Sequence, residues 1–226
     1  MKNTLITLFF CFLSFAVFAQ QDVTKFWGIP VDGSKTQMIK KLEAKGYKYD
    51  SYIDMLSGEF NGYNVKLSVV TNNNKVCRIV VYDDTYISET AIKIRFNRLV
   101  EQFSNNKRYI PGSFEEQKLS EKEDISTQMT LYDKRYEAGF FQLPESVDST
   151  EWKKSLQSYI SSEYTQEQLE KMGESEKNEV MMKALDWILD KISKKAVWFL
   201  IDRNYNEYRI IMYYDNEYNR ANGEDL

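Results

Sequence analysis

The chain has 226 residues and a formal net charge of −4 at neutral pH. It contains no histidine and only two cysteines, which excludes Ser-His-Asp and Cys-His catalysis, histidine-ligated metals and zinc sites built from several thiolates. The net acidity argues against nucleic acid as the main partner. We therefore predict no cofactor and no metal site, and any catalysis would have to rest on carboxylates, Lys, Tyr, Ser or Thr.

Residues 1–19 have the features of a secretory signal peptide. Lys2 precedes a mostly apolar run, and Val17 and Ala19 occupy the small-residue positions of a cleavage site. The apolar run is about 15 residues long, whereas a membrane-spanning helix needs about 20, so an uncleaved anchor is the weaker alternative. We predict cleavage between Ala19 and Gln20 and a periplasmic or secreted protein with no transmembrane segment after removal of the signal.

The mature chain keeps a single cysteine, so an internal disulfide is excluded. Cys77 lies in KVCRIVVY, where it alternates with Ile79 and Val81. This alternation predicts that Cys77 points into the core from a strand. A reactive or dimerising thiol is the alternative.

The first part of the mature chain predicts a helix, a set of hairpins and a second helix. Ser34 and Gln37 form a capping-box pattern at the start of the first helix. Strand patterns follow, interrupted at Asn61-Gly62 and at residues 72–74, where the residue types favour tight turns. The second helix begins after Ser88 and carries one apolar face, formed by Ile92, Phe96, Leu99 and Phe103.

A polar segment then separates the two halves of the chain. Residues 105–123 include Pro111-Gly112 and predict a loop. We predict one α+β half over residues 20–110, a linker or loop over 111–123 and a second α+β half over 124–226, with one continuous domain as the alternative.

The second half predicts a hairpin, helices and a final hairpin. Residues 125–131 alternate as a strand would, and we predict that they pair with a strand through Phe140. The segment from Val180 to Ile192 is the clearest amphipathic helix, and its two methionines, Met181 and Met182, are predicted to fill the core. The last two strands are predicted over 196–202 and 207–214.

The final turn contains a pattern that resembles a calcium loop. Asp202, Asn204 and Asn206 alternate like its first ligands. Such a loop also needs glycine at its sixth position and a bidentate glutamate at its twelfth, but these positions hold Glu207 and Tyr213. The pattern therefore predicts a hairpin turn rather than a metal site.

Two further residue types could carry function. Three acidic groups could supply the carboxylate pair of a glycosidase or could be solvated surface: Asp83-Asp84, Glu115-Glu116 and Glu121/Glu123/Asp124. The chain is also rich in aromatic residues, with 16 Tyr, 13 Phe and 4 Trp, which suit either binding platforms or half-buried strands. One tyrosine cluster lies at the last hairpin: Tyr205, Tyr208, Tyr213, Tyr214 and Tyr218.

Two stretches of the chain resemble known groups of proteins. FWGIPVDGSKTQMIKKLEAKGY and the tail YYDNEYNRANGEDL resemble an uncharacterised group of exported proteins of Bacteroidota-type gut bacteria. The first stretch with its following hairpins is also similar to the helix-plus-sheet unit of β-lactamase-inhibitor proteins and of small outer-membrane-assembly lipoproteins. The first resemblance implies export and no particular activity, and the second implies a helix packed on an antiparallel sheet.

The patterns together predict an α+β fold in which antiparallel hairpins form one or two sheets and amphipathic helices pack on one face. Two classes of function remain open. The first is a non-catalytic exported binding or envelope-accessory protein with an unknown protein or glycan partner. The second is a carboxylate-dependent envelope hydrolase such as a glycosidase. The sequence assigns no catalytic residue and no ligand-binding residue.

Overall fold

The computed structural model describes residues 22–113, 115–143 and 150–221, without the side chains of residues 150–153 and 155. The predicted signal peptide, its cleavage site at Ala19 and Gln20, and the last five residues lie outside these ranges. Within them, no helix combines the length and the apolar character needed to cross a membrane.

The fold is built on one eight-stranded antiparallel sheet with the strand order β3-β4-β5-β6-β10-β9-β8-β7, accompanied by a short β1-β2 hairpin. The predicted α+β class with antiparallel pairing is thus confirmed. The strands are β1 (Lys25–Phe26), β2 (Ile29–Pro30), β3 (Lys48–Asp50), β4 (Met55–Phe60), β5 (Tyr63–Asn72), β6 (Lys75–Asp83), β7 (Tyr109–Pro111), β8 (Glu137–Gln142), β9 (Ala196–Asn204) and β10 (Glu207–Asp215).

Six α-helices lie within the described residues. They are α1 (Lys35–Glu43), α2 (Glu89–Ser104), α3 (Ile125–Leu131), α4 (Thr150–Glu163), α5 (Gln166–Lys171) and α6 (Glu174–Ser193). The first two begin as predicted, because Ser34 forms a reciprocal capping box with Gln37 and the Ser88 hydroxyl accepts a hydrogen bond from the backbone N–H of Ala91.

The core lies between one face of the sheet, which we call the inner face, and helices α1 and α2. The predicted apolar stripe of α2 is buried, and β10 contributes the buried residues Ile210 and Met212 opposite Ile201 and Phe199 of β9. Burying a large apolar side chain contributes about 1.5–3 kcal/mol. Because β10 pairs with β6 and with β9, the sheet joins the N-terminal and C-terminal halves of the chain.

The tight turns lie where the sequence predicts them. Asn61 and Gly62 have φ values of 53° and 77°, and Asn73 and Asn74 have values of 46° and 62°. These left-handed conformations are the ones that Asn and Gly tolerate best. The residue types at the turns therefore set the register of β4 with β5 and of β5 with β6.

The strand predicted over residues 125–131 is wrong, and so is its hairpin with the strand through Phe140. Residues 125–131 form helix α3, capped by Asp124, whose carboxylate accepts a hydrogen bond from the backbone N–H of Thr127 at 2.9 Å. Ile125 and Met129 satisfy both a strand period and a helical i, i+4 period, so a seven-residue pattern does not separate the two. Strand β8 pairs instead with β7 and β9.

The predicted core position of Cys77 is also wrong. Val70 pairs with Arg78 and Thr71 pairs with Val76, so Cys77 is the extra residue of a β-bulge in β6. A bulge shifts the alternation by one residue. Val76 is consequently buried, while Cys77 is half-buried.

The two methionines of helix α6 do not fill the core. Met181 and Met182 are 63% and 54% exposed, and Ile192 is the one fully buried residue of this helix. Helix α6 packs mainly against α4, where Trp187 stacks on Tyr159 with ring centroids 5.4 Å apart. The hydrophobic periodicity of α6 predicted the helix correctly, but periodicity does not show which surface covers an apolar face.

Candidate functional site

The clearest concavity lies at one end of the inner face, between the C-terminal end of α2, the β1-β2 turn and the β4-β5 turn. Its volume is about 530 Å³, which is within the range of about 300–1,000 Å³ that is usual for ligand pockets. We call it the Trp27 groove, and the residues that define it are Trp27, Asn61, Gln102, Arg108, Gln142 and Tyr214.

The floor of the groove is apolar and belongs to the core. Met212 and Tyr214 of β10 and Leu99 and Phe103 of α2 line it and are all nearly fully buried. The ring of Tyr214 lies edge-on to Phe26 with centroids 4.9 Å apart. Burial raises the pKa of Tyr214 well above 10.0, so the floor carries no charge at neutral pH.

The mouth of the groove holds a tryptophan in an unfavourable backbone conformation. Trp27 and Gly28 form the two-residue turn between β1 and β2, with φ values of 49° and 80°. A bulky residue at positive φ is a genuine outlier, and the left-handed conformation costs an L-residue roughly 1–2 kcal/mol. Trp27 is nevertheless 48% exposed, with its ring edge-on to Tyr47 and Phe60. Strained backbone conformations of this kind cluster at functional sites.

Amide side chains fix the two ends of the groove. At one end, the Gln142 side chain accepts a hydrogen bond from the Lys25 backbone N–H at 2.7 Å and donates one to the Tyr109 hydroxyl at 3.1 Å. Burial raises the pKa of Tyr109, which therefore stays a neutral donor and acceptor. At the other end, the Asn61 amide donates a hydrogen bond to Gln102 at 2.8 Å and links the β4-β5 turn to α2.

The charged residues in the described lining of the groove are cationic. Lys25, Arg108 and Lys195 line it, and its described lining includes neither aspartate nor glutamate. The Lys195 ammonium is 2.9 Å from both carboxylate oxygens of Asp22. Asp22 does not line the groove, and its carboxylate compensates part of the positive charge of the lining. Arg108 is exposed to solvent. Cations around an apolar floor favour a ligand that combines an anionic group with an apolar body.

The acidic groups singled out in the sequence lie outside the Trp27 groove, and three of their carboxylates are paired with cations. Asp83 accepts two hydrogen bonds of 3.3 Å from Arg95, both residues being buried. Asp84 is 3.0 Å from Lys66. Glu123 accepts hydrogen bonds from Lys134 and from the hydroxyl of Tyr136, and these bonds lower its pKa.

Glu115 and Glu116 line a second concavity together with Glu123. A glycosidase needs one carboxyl group with a raised pKa as its general acid. Glu123, with a lowered pKa, does not meet this requirement.

The calcium-like pattern is part of a hairpin turn, as predicted. Asn204 pairs with Glu207, which leaves Tyr205 and Asn206 as the turn, and Tyr205 takes the left-handed conformation with φ 56°. The carboxylate of Asp202 accepts hydrogen bonds from Arg209 at 2.7 Å and from Tyr86. Across the described ranges, no three Cys, Asp or Glu side chains converge as metal ligands would.

The tyrosines of the last hairpin do not form one site. Tyr208 and Tyr214 are buried, Tyr205 is 87% exposed at the turn, and Tyr213 is half-buried on the opposite face of the sheet. The strand period of two residues distributes them over both faces. Only Tyr214 contributes to the Trp27 groove.

Sequence reasoning did not find the residues of the Trp27 groove. One local signal was present, because Trp27-Gly28 stands between two short apolar segments and a glycine in that setting indicates a turn. Arg108 and Gln142 carry no such signal, since they reach the groove only through the pairing of β7 with β8.

Comparison with protein-family models, curated proteins and solved structures gives no match to this chain. The two resemblances noted in the sequence therefore stay predictions, and the functional argument rests on the geometry of the sites.

Proposed function

We propose that the protein is a non-catalytic exported binding protein whose ligand, an amphipathic anion, occupies the Trp27 groove. One observation carries the proposal: an apolar floor is surrounded by cationic and amide side chains, and no described lining residue is a carboxylate. A carboxylate-dependent hydrolase would need two carboxyl groups facing a bound substrate, and the described lining of this groove supplies none.

The proposal assigns distinct roles to the groove residues. Met212, Leu99 and Phe103 contact the apolar body of the ligand, and the Trp27 ring covers it at the mouth. Arg108 pairs with the anionic group, because it is exposed at the rim and its guanidinium can form two parallel hydrogen bonds with a carboxylate, a sulfonate or a phosphate.

A pair of fluorescent probes tests this assignment. Anilinonaphthalene sulfonate carries an anionic group on an aromatic body, and N-phenylnaphthylamine has the same body without the charge. We expect the purified protein to bind the sulfonate more tightly. Arg108→Glu should weaken sulfonate binding by at least about fivefold, since a single exposed ion pair contributes up to about 1 kcal/mol and the substitution also adds repulsion. Binding of the neutral probe should change little.

The neighbouring Lys107 provides a matched control. It is exposed and does not line the groove, so Lys107→Glu changes the net charge equally and should leave sulfonate binding unchanged. Equal effects of the two variants would show that net charge, and not the groove, attracts the probe. Equal affinity for the two probes in the unmodified protein would contradict the anionic preference.

Export through a cleaved signal peptide belongs to the same proposal. Its support is the charged and apolar pattern of residues 1–19 with small residues at Val17 and Ala19. Mass spectrometry of the protein from the cell envelope or the medium should find Gln20 at the N-terminus. A chain that still carries Lys2 would contradict the predicted cleavage.

A further inference from the structure

The outer face of the sheet, opposite the core, carries a tryptophan that is held rigidly in place. The Trp198 ring of β9 stacks on Tyr213 of β10 with centroids 4.0 Å apart and an angle of 13° between the ring planes. Its indole N–H donates a hydrogen bond to the Asp215 carboxylate at 2.9 Å. Asp215 is itself buried and paired with Arg78. An indole fixed on one face and at its N–H loses little conformational entropy when a ligand binds.

The second face of the indole is directed toward β8. The Arg78 guanidinium lies 4.9 Å from the Tyr213 ring centroid and 5.7 Å from the Trp198 centroid. With the two rings 4.0 Å apart, these distances place Arg78 on the Tyr213 side of the indole. Gly139 of β8 is the register partner of Trp198 on the other side. No side chain from this position can cover the indole.

Backbone geometry does not explain the glycine at this position. Gly139 is absent from the residues with positive φ, and a Cβ atom added there would meet only the Cβ of Trp198, at 3.9 Å, which is an ordinary contact. A glycine inside a strand weakens the sheet and often marks a place where a ligand approaches closely. The stability that the sheet loses by having glycine at position 139 is therefore consistent with a requirement for open space above the indole.

The open space belongs to the second concavity described above, which is lined by Glu115, Glu116 and Glu123 and has a volume of about 780 Å³. We call it the Trp198 slot and define it by Trp198, Gly139, Phe141, Gln117, Arg135 and Glu137. Two of these residues supply an exposed ion pair at the rim, with the Arg135 guanidinium 3.0 Å from the Glu137 carboxylate. The slot thus presents a cationic hydrogen-bond donor, Arg135, and an anionic acceptor, Glu137, next to an aromatic face.

We propose that the Trp198 slot binds a saccharide by stacking one sugar ring on the indole face opposite Tyr213. The negative face of an aromatic ring attracts the polarised C–H groups on the apolar side of a pyranose, and a neutral ligand with many hydroxyls needs both donors and acceptors at the rim. A nucleic-acid strand fits less well, because Glu115, Glu116 and Glu137 also line the slot and would repel phosphates. This site is separate from the Trp27 groove, and neither proposal depends on the other.

Fluorine NMR of the full chain labelled with fluorotryptophan gives a specific readout. The sequence has four tryptophans, and the Trp198 resonance can be assigned from its loss in Trp198→Phe. The probes are cellotetraose, chitotetraose and maltotetraose, added separately up to millimolar concentration. We expect at least one of them to shift the Trp198 resonance in a saturable way while the Trp27 resonance stays in place. If none of the three shifts the Trp198 resonance, the proposal is wrong.

A variant that fills the slot without removing the tryptophan completes the test. Gly139→Leu places an apolar side chain beside the indole, and its Cβ would meet only an ordinary contact, with the Cβ of Trp198 at 3.9 Å. We expect affinity for the shifting oligosaccharide to fall at least about tenfold, equivalent to about 1.4 kcal/mol. Ser68→Leu is the matched control, since Ser68 pairs with Val80 on the far side of Tyr213, and it should leave affinity unchanged. Unchanged affinity in Gly139→Leu would overturn the proposal.

Discussion

The strained turn at the mouth of the Trp27 groove leads to a prediction about stability. Replacing Trp27 by alanine removes the packing of its ring against Tyr47 and Phe60 and leaves the left-handed conformation in place. About half of the side chain is buried, so roughly 100 Å² of apolar surface is lost, worth about 2.5 kcal/mol at about 25 cal/mol per Å². Trp27→Asn loses the same surface, but asparagine tolerates positive φ and recovers about 1 kcal/mol.

We therefore expect Trp27→Asn to be more stable than Trp27→Ala by about 1 kcal/mol, with both variants less stable than the unmodified protein. Urea unfolding followed by far-ultraviolet circular dichroism measures this difference, provided that the slope of unfolding free energy against urea is the same for all three proteins. If the alanine variant is as stable as the asparagine variant, Trp27 is not strained and the argument from its backbone fails.

Tyr205 offers the same comparison without the packing contribution. It has φ 56° in the β9-β10 turn and is 87% exposed, so its ring buries little surface. Tyr205→Asn should accordingly stabilise the protein by about 0.5–1 kcal/mol, whereas Tyr205→Ala should not. A loss of stability in Tyr205→Asn would show that the tyrosine ring contributes contacts that its exposure does not reveal.

Three further predictions follow from the core and from the bulge in β6. Burial raises the pKa of Tyr47 to about 12 and that of Tyr214 well above 10.0, so the unfolded chain ionises these phenols first. Stability should be unaffected by these two phenols up to about pH 10 and should decrease above it, as urea unfolding at each pH and phenolate absorbance will show. Asp83→Ala should cost about 3–5 kcal/mol in thermal or urea unfolding, because it leaves the buried Arg95 charge without its partner; a loss below about 1 kcal/mol would mean that water reaches Arg95. Cys77 should react with a thiol reagent in the native state, more slowly than a free thiol because burial raises its pKa, and a reaction that requires denaturant would contradict the bulge.

The features that the sequence predicted correctly depend on neighbouring residues. Asn61-Gly62 is a hairpin turn because both residues tolerate positive φ, and Ser34 caps α1 through Gln37, three residues away. The stripe of α2 from Ile92 to Phe103 is long enough to fix a helical period. Each of these signals lies within a single helix or one short hairpin, so no tertiary information is needed to interpret it.

The predictions that failed concern residues whose environment is set by distant parts of the chain. Cys77 turns out of the core because β5 and β6 differ by one residue across the bulge, which alternation within β6 cannot show. Helix α6 is amphipathic, yet it packs mainly against α4 and only to a lesser extent against the sheet. The Trp27 groove likewise joins Lys25 and Gln142, which are 117 residues apart. Sequence patterns predict elements, whereas such a site arises from the order of strands in the sheet.

In each of the two proposed sites, one residue departs from the preference of its local backbone. Trp27 occupies a turn position whose backbone conformation Asn or Gly adopts with less strain, and Gly139 occupies a strand position where an added Cβ atom would meet only an ordinary contact. Natural sequences satisfy their local preferences almost everywhere, and the exceptions tend to lie at functional sites. Here one exception adds an exposed aromatic ring at the mouth of the groove, and the other removes a side chain from above a fixed indole. Both residues depart from the local preference at a place where a ligand would contact the protein, so Trp27→Asn, which relieves the strained turn, and a larger residue at Gly139 should both weaken binding.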